Sequence, residues 1–294
     1  MSSIKLLFAL FLVVFLVGCS TVPASKFSSF SDSTDTLDKS ATATFQQVRS
    51  GVLQNMVVSA PDGAITATTF QPPTAKNSMG KTVVPIFDYM DTISNAFDVV
   101  DKYAKALTAL AGSGSTASID QAATSLAASL NTFSKSDPNV TIGEGNQIAT
   151  LADAVGRWAT YSQRKDALVR VLNLGQPALV KISTGITRDT PMLLNYIDGL
   201  ETNYIAYANQ ARKESKQFTE QRFNFDSQTA QQLTTFDNIR SEVNALQQAA
   251  AKLPATNQDL LNSVNDAGSS IDNLKAFVQS ARDLRSFYTS LPTK

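Results

Sequence analysis

Apolar residues along much of the chain recur at alternating steps of four and three. From Ile86 the series runs Ile86, Met90, Ile93, Phe97, Val100, Ala104, Leu107 and Ala111. It returns at Leu193, Ile197, Leu200, Tyr204, Tyr207 and Ala211, and again at Phe236, Ile239, Val243, Leu246, Ala250 and Leu253. A later series runs Leu260, Val264, Ala267, Ile271, Leu274, Val278 and Ala281, and a short one Ile119, Ala123, Leu126, Leu130 and Phe133. This spacing lines one face of an α-helix, whereas a half-buried strand needs strict alternation. Helices with such stripes pack at small crossing angles. Several stripes separated by breaks, with many alanines on the seam, favour antiparallel bundling over an isolated coiled coil. The expected fold is all-α, an elongated antiparallel bundle of long heptad-patterned helices.

The polar breaks agree with the stripes. Gly112 and Gly114 end one helix, Asp137 and Pro138 the next, and Gly175 with Pro177 interrupts a third. Asp189, Thr190 and Pro191 supply a cap followed by proline at a first helical position. Pro254 with Thr256 and Asn257 reads as a short turn, and Pro292 stops the last helix. The pattern predicts helices near 33–57, 86–111, 116–134, 144–174, 177–187, 190–221, 226–253 and 257–290, with 177–187 able to continue a neighbour. Residues 58–85 do not fit, because Pro61, Gly63, Pro72, Pro73, Gly80 and Pro85 punctuate β-prone pieces at 65–70 and 82–84. This excursion reads as a connector or small hairpin, with a partner-contacting element as the competing reading.

The N-terminus follows different rules. Lys5 precedes an apolar run from Leu6 to Val17, which has the length of a signal-peptide core and is short for a spanning helix of about 20 residues. Leu16-Val17-Gly18-Cys19 then resembles a lipobox, the processing site of bacterial lipoproteins. The resemblance covers only about the first twenty residues, but the chain's one cysteine falls at the position the motif requires. It implies a signal-peptidase site at Leu16, Gly18 and Cys19, and acylation of Cys19, with palmitate-like chains as the membrane anchor. Several acyl chains give stable attachment where one is marginal. Ser20 stands where an aspartate would resemble an inner-membrane retention signal, so outer-membrane attachment is expected, on the periplasmic face. The domain plan that follows is a signal peptide over 1–18, a lipidated cysteine and flexible Ser/Thr-rich tether over 19–32, and one elongated helical-bundle domain over 33–294.

Composition narrows the chemistry. The 294 residues carry 25 basic and 25 acidic side chains, one cysteine and no histidine. Histidine-dependent triads, histidine-ligated zinc and histidine pH switches are thereby excluded. One cysteine cannot form an internal disulfide or a CxxC pair. Zero net charge argues against general nucleic-acid binding. Cleavage before Cys19 would remove only Lys5 among the charged residues, leaving the body near neutral.

Candidate chemistry is sparse. Ser78 with Lys81 and Ser162 with Lys165 fit the Ser-x-x-Lys spacing of histidine-free hydrolases, but no companion motif accompanies either. Asp88, Asp91, Asp98 and Asp101 lie off the apolar stripe of one helix and read as a solvated face, with no metal motif. The mixed charges from Arg212 to Arg222 read as exposed helix surface. Trp158, beside Leu151, Val155 and Tyr161, reads as core, while Tyr196, Tyr204 and Tyr207 read as core or boundary residues. No catalytic residue, metal site or cofactor is expected. The sequence points instead to an envelope lipoprotein whose helical bundle is a binding or scaffold module, anchored to the membrane and partnered by another envelope protein. A carrier of an apolar or lipid ligand is the alternative, and a Ser-Lys hydrolase comes after it.

Overall fold

The computed structural model of the protein describes residues 22–58, 75–76, 82–83, 85–112, 115–136, 161–214 and 220–290. Among them are six helices: α1 (Ala24–Val58), α2 (Pro85–Ala111), α3 (Thr116–Ser136), α4 (Tyr161–Glu214), α5 (Glu220–Asn265) and α6 (Asp272–Ser290). They pack against one another around a single apolar cluster that reaches from Phe27 in α1 to Leu284 in α6. The expected all-α antiparallel bundle is the observed architecture. The only strands described are β1 (Ala75–Lys76) and β2 (Thr82–Val83), an antiparallel pair inside the excursion that breaks the heptad pattern. The rest of 59–84 lies outside the described residues.

The heptad stripes are the buried faces. In α2, Met90, Ile93, Phe97, Val100, Ala104 and Leu107 are all core residues. Residues 86–111 and 116–134 were the expected spans of α2 and α3, and the observed ends differ by two residues or fewer. Pro85 opens α2, where its missing N–H costs nothing. Ser115 caps α3, its hydroxyl oxygen accepting the Ser118 N–H at 3.3 Å.

Three expectations are corrected. The segment 19–32 is not a spacer throughout, because α1 begins at Ala24 and Phe27 and Phe30 are fully buried. Its seam runs Phe27, Phe30, Thr34, Leu37, Ala41, Thr44, Val48, all buried, so threonine holds two heptad positions. Those hydroxyls find acceptors on their own helix: Thr34 donates to the Ser31 carbonyl at 2.9 Å, and the Thr44 hydroxyl lies 2.8 Å from the Ser40 carbonyl.

The prolines, secondly, do not end helices. α4 passes through Pro177 and Pro191 and α5 through Pro254. Pro191 cannot donate to the Thr187 carbonyl four residues back, and the Gln247 side-chain amide donates there instead at 3.1 Å. Near Pro177 and Pro254 the two helices exchange amide contacts, Gln176 Nε2 to the Pro254 carbonyl at 3.2 Å and Asn257 Nδ2 to the Leu172 carbonyl at 3.0 Å. At Pro191 a partner helix thus satisfies the carbonyl that the proline leaves open, and at Pro177 and Pro254 amide contacts between the two helices accompany the continuous path.

Thirdly, the last heptad series is not one helix. It crosses a turn at 266–271, built on Gly268 N–H donating to Asp266 Oδ1 at 2.9 Å. α6 is then capped from a distance, since Asp259 Oδ2 in α5 accepts the Leu274 N–H at 3.1 Å and Asp259 Oδ1 accepts from Asn273 Nδ2 at 3.0 Å.

Contacts between elements fix which ends lie together. The Thr108 hydroxyl of α2 donates to the Phe27 carbonyl, Lys26 Nζ to the Ala267 carbonyl, and Arg164 Nη1 to the Gly112 carbonyl. One end of the bundle therefore gathers the start of α1, the α2–α3 turn, the start of α4 and the α5–α6 turn. At the other end Arg49 pairs with Asp91 at 2.5 Å, and Tyr89 donates to Met192 Sδ at 3.1 Å. α4 with its 54 residues is about 80 Å long, so the fold is elongated as expected.

Candidate functional site

Among the described residues, three polar clusters interrupt the core. The first joins α1, α2 and α3. Asp101 is 1% exposed, with Lys105 Nζ 2.7 Å and Lys102 Nζ 3.4 Å from Oδ2. Asp98 accepts a 2.5 Å hydrogen bond from the Ser129 hydroxyl and pairs with Lys102 at 3.2 Å. Asp38 faces this cluster from α1. Burial pushes its carboxyl up to about 6, helped by the negative charges of Asp98 and Asp101 and opposed by Lys102. The solvated face expected for these aspartates holds for Asp91, which is exposed, but not for Asp101. The cause is α1, which packs over this side of α2 and brings Asp35 and Asp38 with it. Burial acts to raise Asp35 as well, but Lys39 and Lys105 hold it below the usual carboxylate range.

The second cluster ties α2, α4 and α5. The Tyr103 hydroxyl donates to Asn257 Oδ1 at 2.6 Å, and Asn257 Nδ2 donates to Gln176 Oε1 at 2.6 Å. Burial raises the Tyr103 phenol far above its ordinary range, so it remains a neutral donor. Gly175 permits this approach, because a Cβ there would lie 2.6 Å from the tyrosine ring. The third is a single contact between α1 and α5, with the Thr44 hydroxyl 2.7 Å from Glu242 Oε2. In none of the three does a nucleophile meet a base beside an open cleft. Among the described residues, no group of three His, Cys, Asp or Glu is arranged to hold a metal ion. The clusters read as registry devices between helices.

The sequence-derived candidates fall mostly elsewhere. Cys19, Leu16, Gly18, Ser78, Lys81, Leu151, Val155 and Trp158 lie outside the described residues, and so do the side chains of Tyr161 and Ser162. Lys165 is half-buried in the first turns of α4, beside Arg164. Tyr196 and Tyr204 are half-buried against the core, and Tyr207 is exposed, its ring packed edge-on to Phe225 with centroids 6.3 Å apart. Arg212 and Lys213 are exposed as expected, with Arg212 paired to Asp226 at 3.1 Å. Among the described residues, no helix is long and apolar enough to cross a membrane.

Two surface features went unnoticed in the sequence. One is a groove between α1 and α6 at the end where α1 begins. Its first cavity, about 380 Å³, has Ile271, Leu274 and Val278 as its apolar floor and Lys26, Lys275 and Arg282 on its sides. A second cavity of about 500 Å³ lies further along the same helices, with Lys39, Arg285 and Asp35 in its walls. The other feature is at the opposite end, where Leu53, Met192, Ile205, Tyr207 and Phe223 are exposed. Both combine helices distant in sequence, so no local pattern announces them. Comparison of the chain with protein-family models, with curated proteins and with solved structures gives no match.

Proposed function

We propose that the chain is a bacterial envelope lipoprotein, anchored through acylated Cys19, whose helical bundle is a binding or scaffold module for other envelope components. The observation that carries the reading is the lipobox-like Leu16-Val17-Gly18-Cys19, which places the chain's one cysteine five positions ahead of the first residue of α1. Five residues reach at most about 18 Å even when fully extended. An anchor at Cys19 therefore holds the start of α1 near the lipid surface, and in a bundle that stands on that end the opposite end is carried away from it. The apolar residues exposed at that far end, Met192 and Phe223 foremost, fit a protein-contact surface held clear of the membrane. Ser20 after the cysteine favours the outer membrane.

Two measurements test this. Cys19→Ala is expected to abolish metabolic labelling by an alkynyl fatty acid and to leave an uncleaved precursor; persistent labelling would remove the anchor. A photo-crosslinking residue at Met192 or Phe223 in intact cells should yield discrete protein adducts that a probe at exposed Gln46 does not. An anchored protein giving no adduct at either position would overturn the scaffold reading while leaving the anchor intact.

A further inference from the structure

We infer that the groove between α1 and α6 binds an anionic phospholipid of the leaflet to which the protein is anchored, an inference that rests on the Cys19 anchor proposed above. The groove offers both chemistries that such a molecule presents. Ile271 and Val278, each half-buried, line it over buried Leu274, and an acyl chain laid there would take their remaining apolar surface from water. Lys26, Lys275 and Arg282 also line it, and among the described residues no carboxylate does. The Lys26 ammonium donates to the Ala267 carbonyl at 3.3 Å, from the start of α1 to the α5–α6 turn. Lys275 meets only exposed Asp272 at 3.4 Å, a screened contact that a phosphate readily outcompetes. Three cations around an apolar trough complement a phosphate ester on a hydrocarbon chain better than they complement a neutral lipid or a free fatty alcohol.

Position supplies the second argument. Lys26 lies seven residues after Cys19, so however the intervening chain runs, an anchored cysteine is within about 25 Å of it. The groove thus opens where phosphate headgroups are most concentrated, and the protein needs no separate encounter to find its ligand. Bound lipid would bridge α1 and α6 near the anchor, adding contacts between the two helices that the groove separates.

The test uses the full acylated chain in vesicles of phosphatidylcholine doped with phosphatidylglycerol bearing a photoactivatable acyl chain. Adducts are expected in the peptide containing Ile271–Val278. Their yield should fall about tenfold when the labelled lipid is phosphatidylcholine, or when Lys26, Lys275 and Arg282 are all changed to glutamate. Equal labelling by the two lipids, or labelling unaffected by the triple substitution, would overturn the inference. Loss of labelling on adding inorganic phosphate at millimolar concentration would assign the cations to a free anion and overturn it as well. Vesicle flotation separates the two readings. A chain that floats without labelling the groove sinks this inference alone. A chain that does not float sinks the anchor, and soluble dihexanoyl phosphatidylglycerol then probes the groove directly, with saturable perturbation supporting it and none overturning it. Circular dichroism of the triple variant confirms that its helices are retained.

Discussion

Gly175 shows how one missing methyl group sets the register of three helices. Tyr103 can donate to Asn257 only because the α4 backbone approaches its ring without a Cβ in between. Gly175→Ala gains about 1 kcal/mol of helix propensity but forces an overlap with a ring that its hydrogen bond holds in place. Overpacking of this kind costs about 1–3 kcal/mol. A net loss of up to about 2 kcal/mol is expected in thermal or urea denaturation, and a variant more stable than the parent would mean that the ring can move aside. Asp38 makes the second residue-scale case. Burial, with the negative charges of Asp98 and Asp101, pushes its folded carboxyl up to about 6, above its ordinary value of 3.8. Between those values the folded chain keeps a proton that the unfolded chain has released, so stability falls as pH rises through that window and the penalty is complete above it. Asp38 is only half-buried, and solvent screening reduces the cost to about 1 kcal/mol. Asp38→Asn should therefore stabilise the protein by about that amount at pH 7.5 and by almost nothing at pH 3.5. Equal gains at both pH values would mean that the substitution acts through packing.

Elements were legible where apolar periodicity was unbroken and were misread where polar residues carried structural weight. α2 and α3 follow directly from their stripes. The expected start of α1 at 33 misses its first nine residues because Ser25, Ser28, Ser29 and Ser31 give them the composition of a tether, although Phe27 and Phe30 among them are fully buried. Pro191 and Pro254 looked like stops because the Gln247 and Gln176 amides that accompany them come from another helix. The candidate site divides in the same way. The lipobox-like motif behind the proposed anchor is local and stands in the sequence, while the groove pairs Lys26 with Arg282 across most of the chain and exists only after folding. The turn into α6 gives this lesson a measurable form. Its helix start is capped by Asp259 from α5, which bonds both Leu274 N–H and the Asn273 side chain and is itself buried. Asp259→Ala should cost about 1–2 kcal/mol and speed hydrogen exchange across 272–290 before it affects α2. Unchanged exchange there would show that packing of Phe277 and Leu284 alone holds the helix start.

At the scale of the whole molecule, stability is expected to be graded along the bundle axis. Near the end where α1 begins, α1, α2, α5 and α6 surround Phe27, Phe30 and Phe277, with the Phe30 and Phe277 rings 5.4 Å apart. Towards the other end the cross-section thins. Gly51 of α1 lies level with Leu200 and Phe236; past that height α1 has seven residues left, while α4 continues to Glu214 and α5 reaches back to Glu220. Buried side chains in α5 begin only at Phe236, and between Glu201 and Lys213 of α4 only Ala208 is buried. A two-helix hairpin with so little burial is held mainly by edge-on aromatic contacts and exposed ion pairs, each a fraction of a kcal/mol to about 1 kcal/mol. Local opening is therefore expected to expose 201–213 and 220–235 without unfolding the rest. Hydrogen exchange followed by mass spectrometry should show protection there at least about a hundredfold lower than across 239–264. Uniform protection along α5 would contradict the gradient. The same low-stability tip carries Ile205, Tyr207 and Phe223, so a partner that covers these residues should raise protection in this segment first and most. That ordering of changes along the axis would show directly which end of the bundle is engaged.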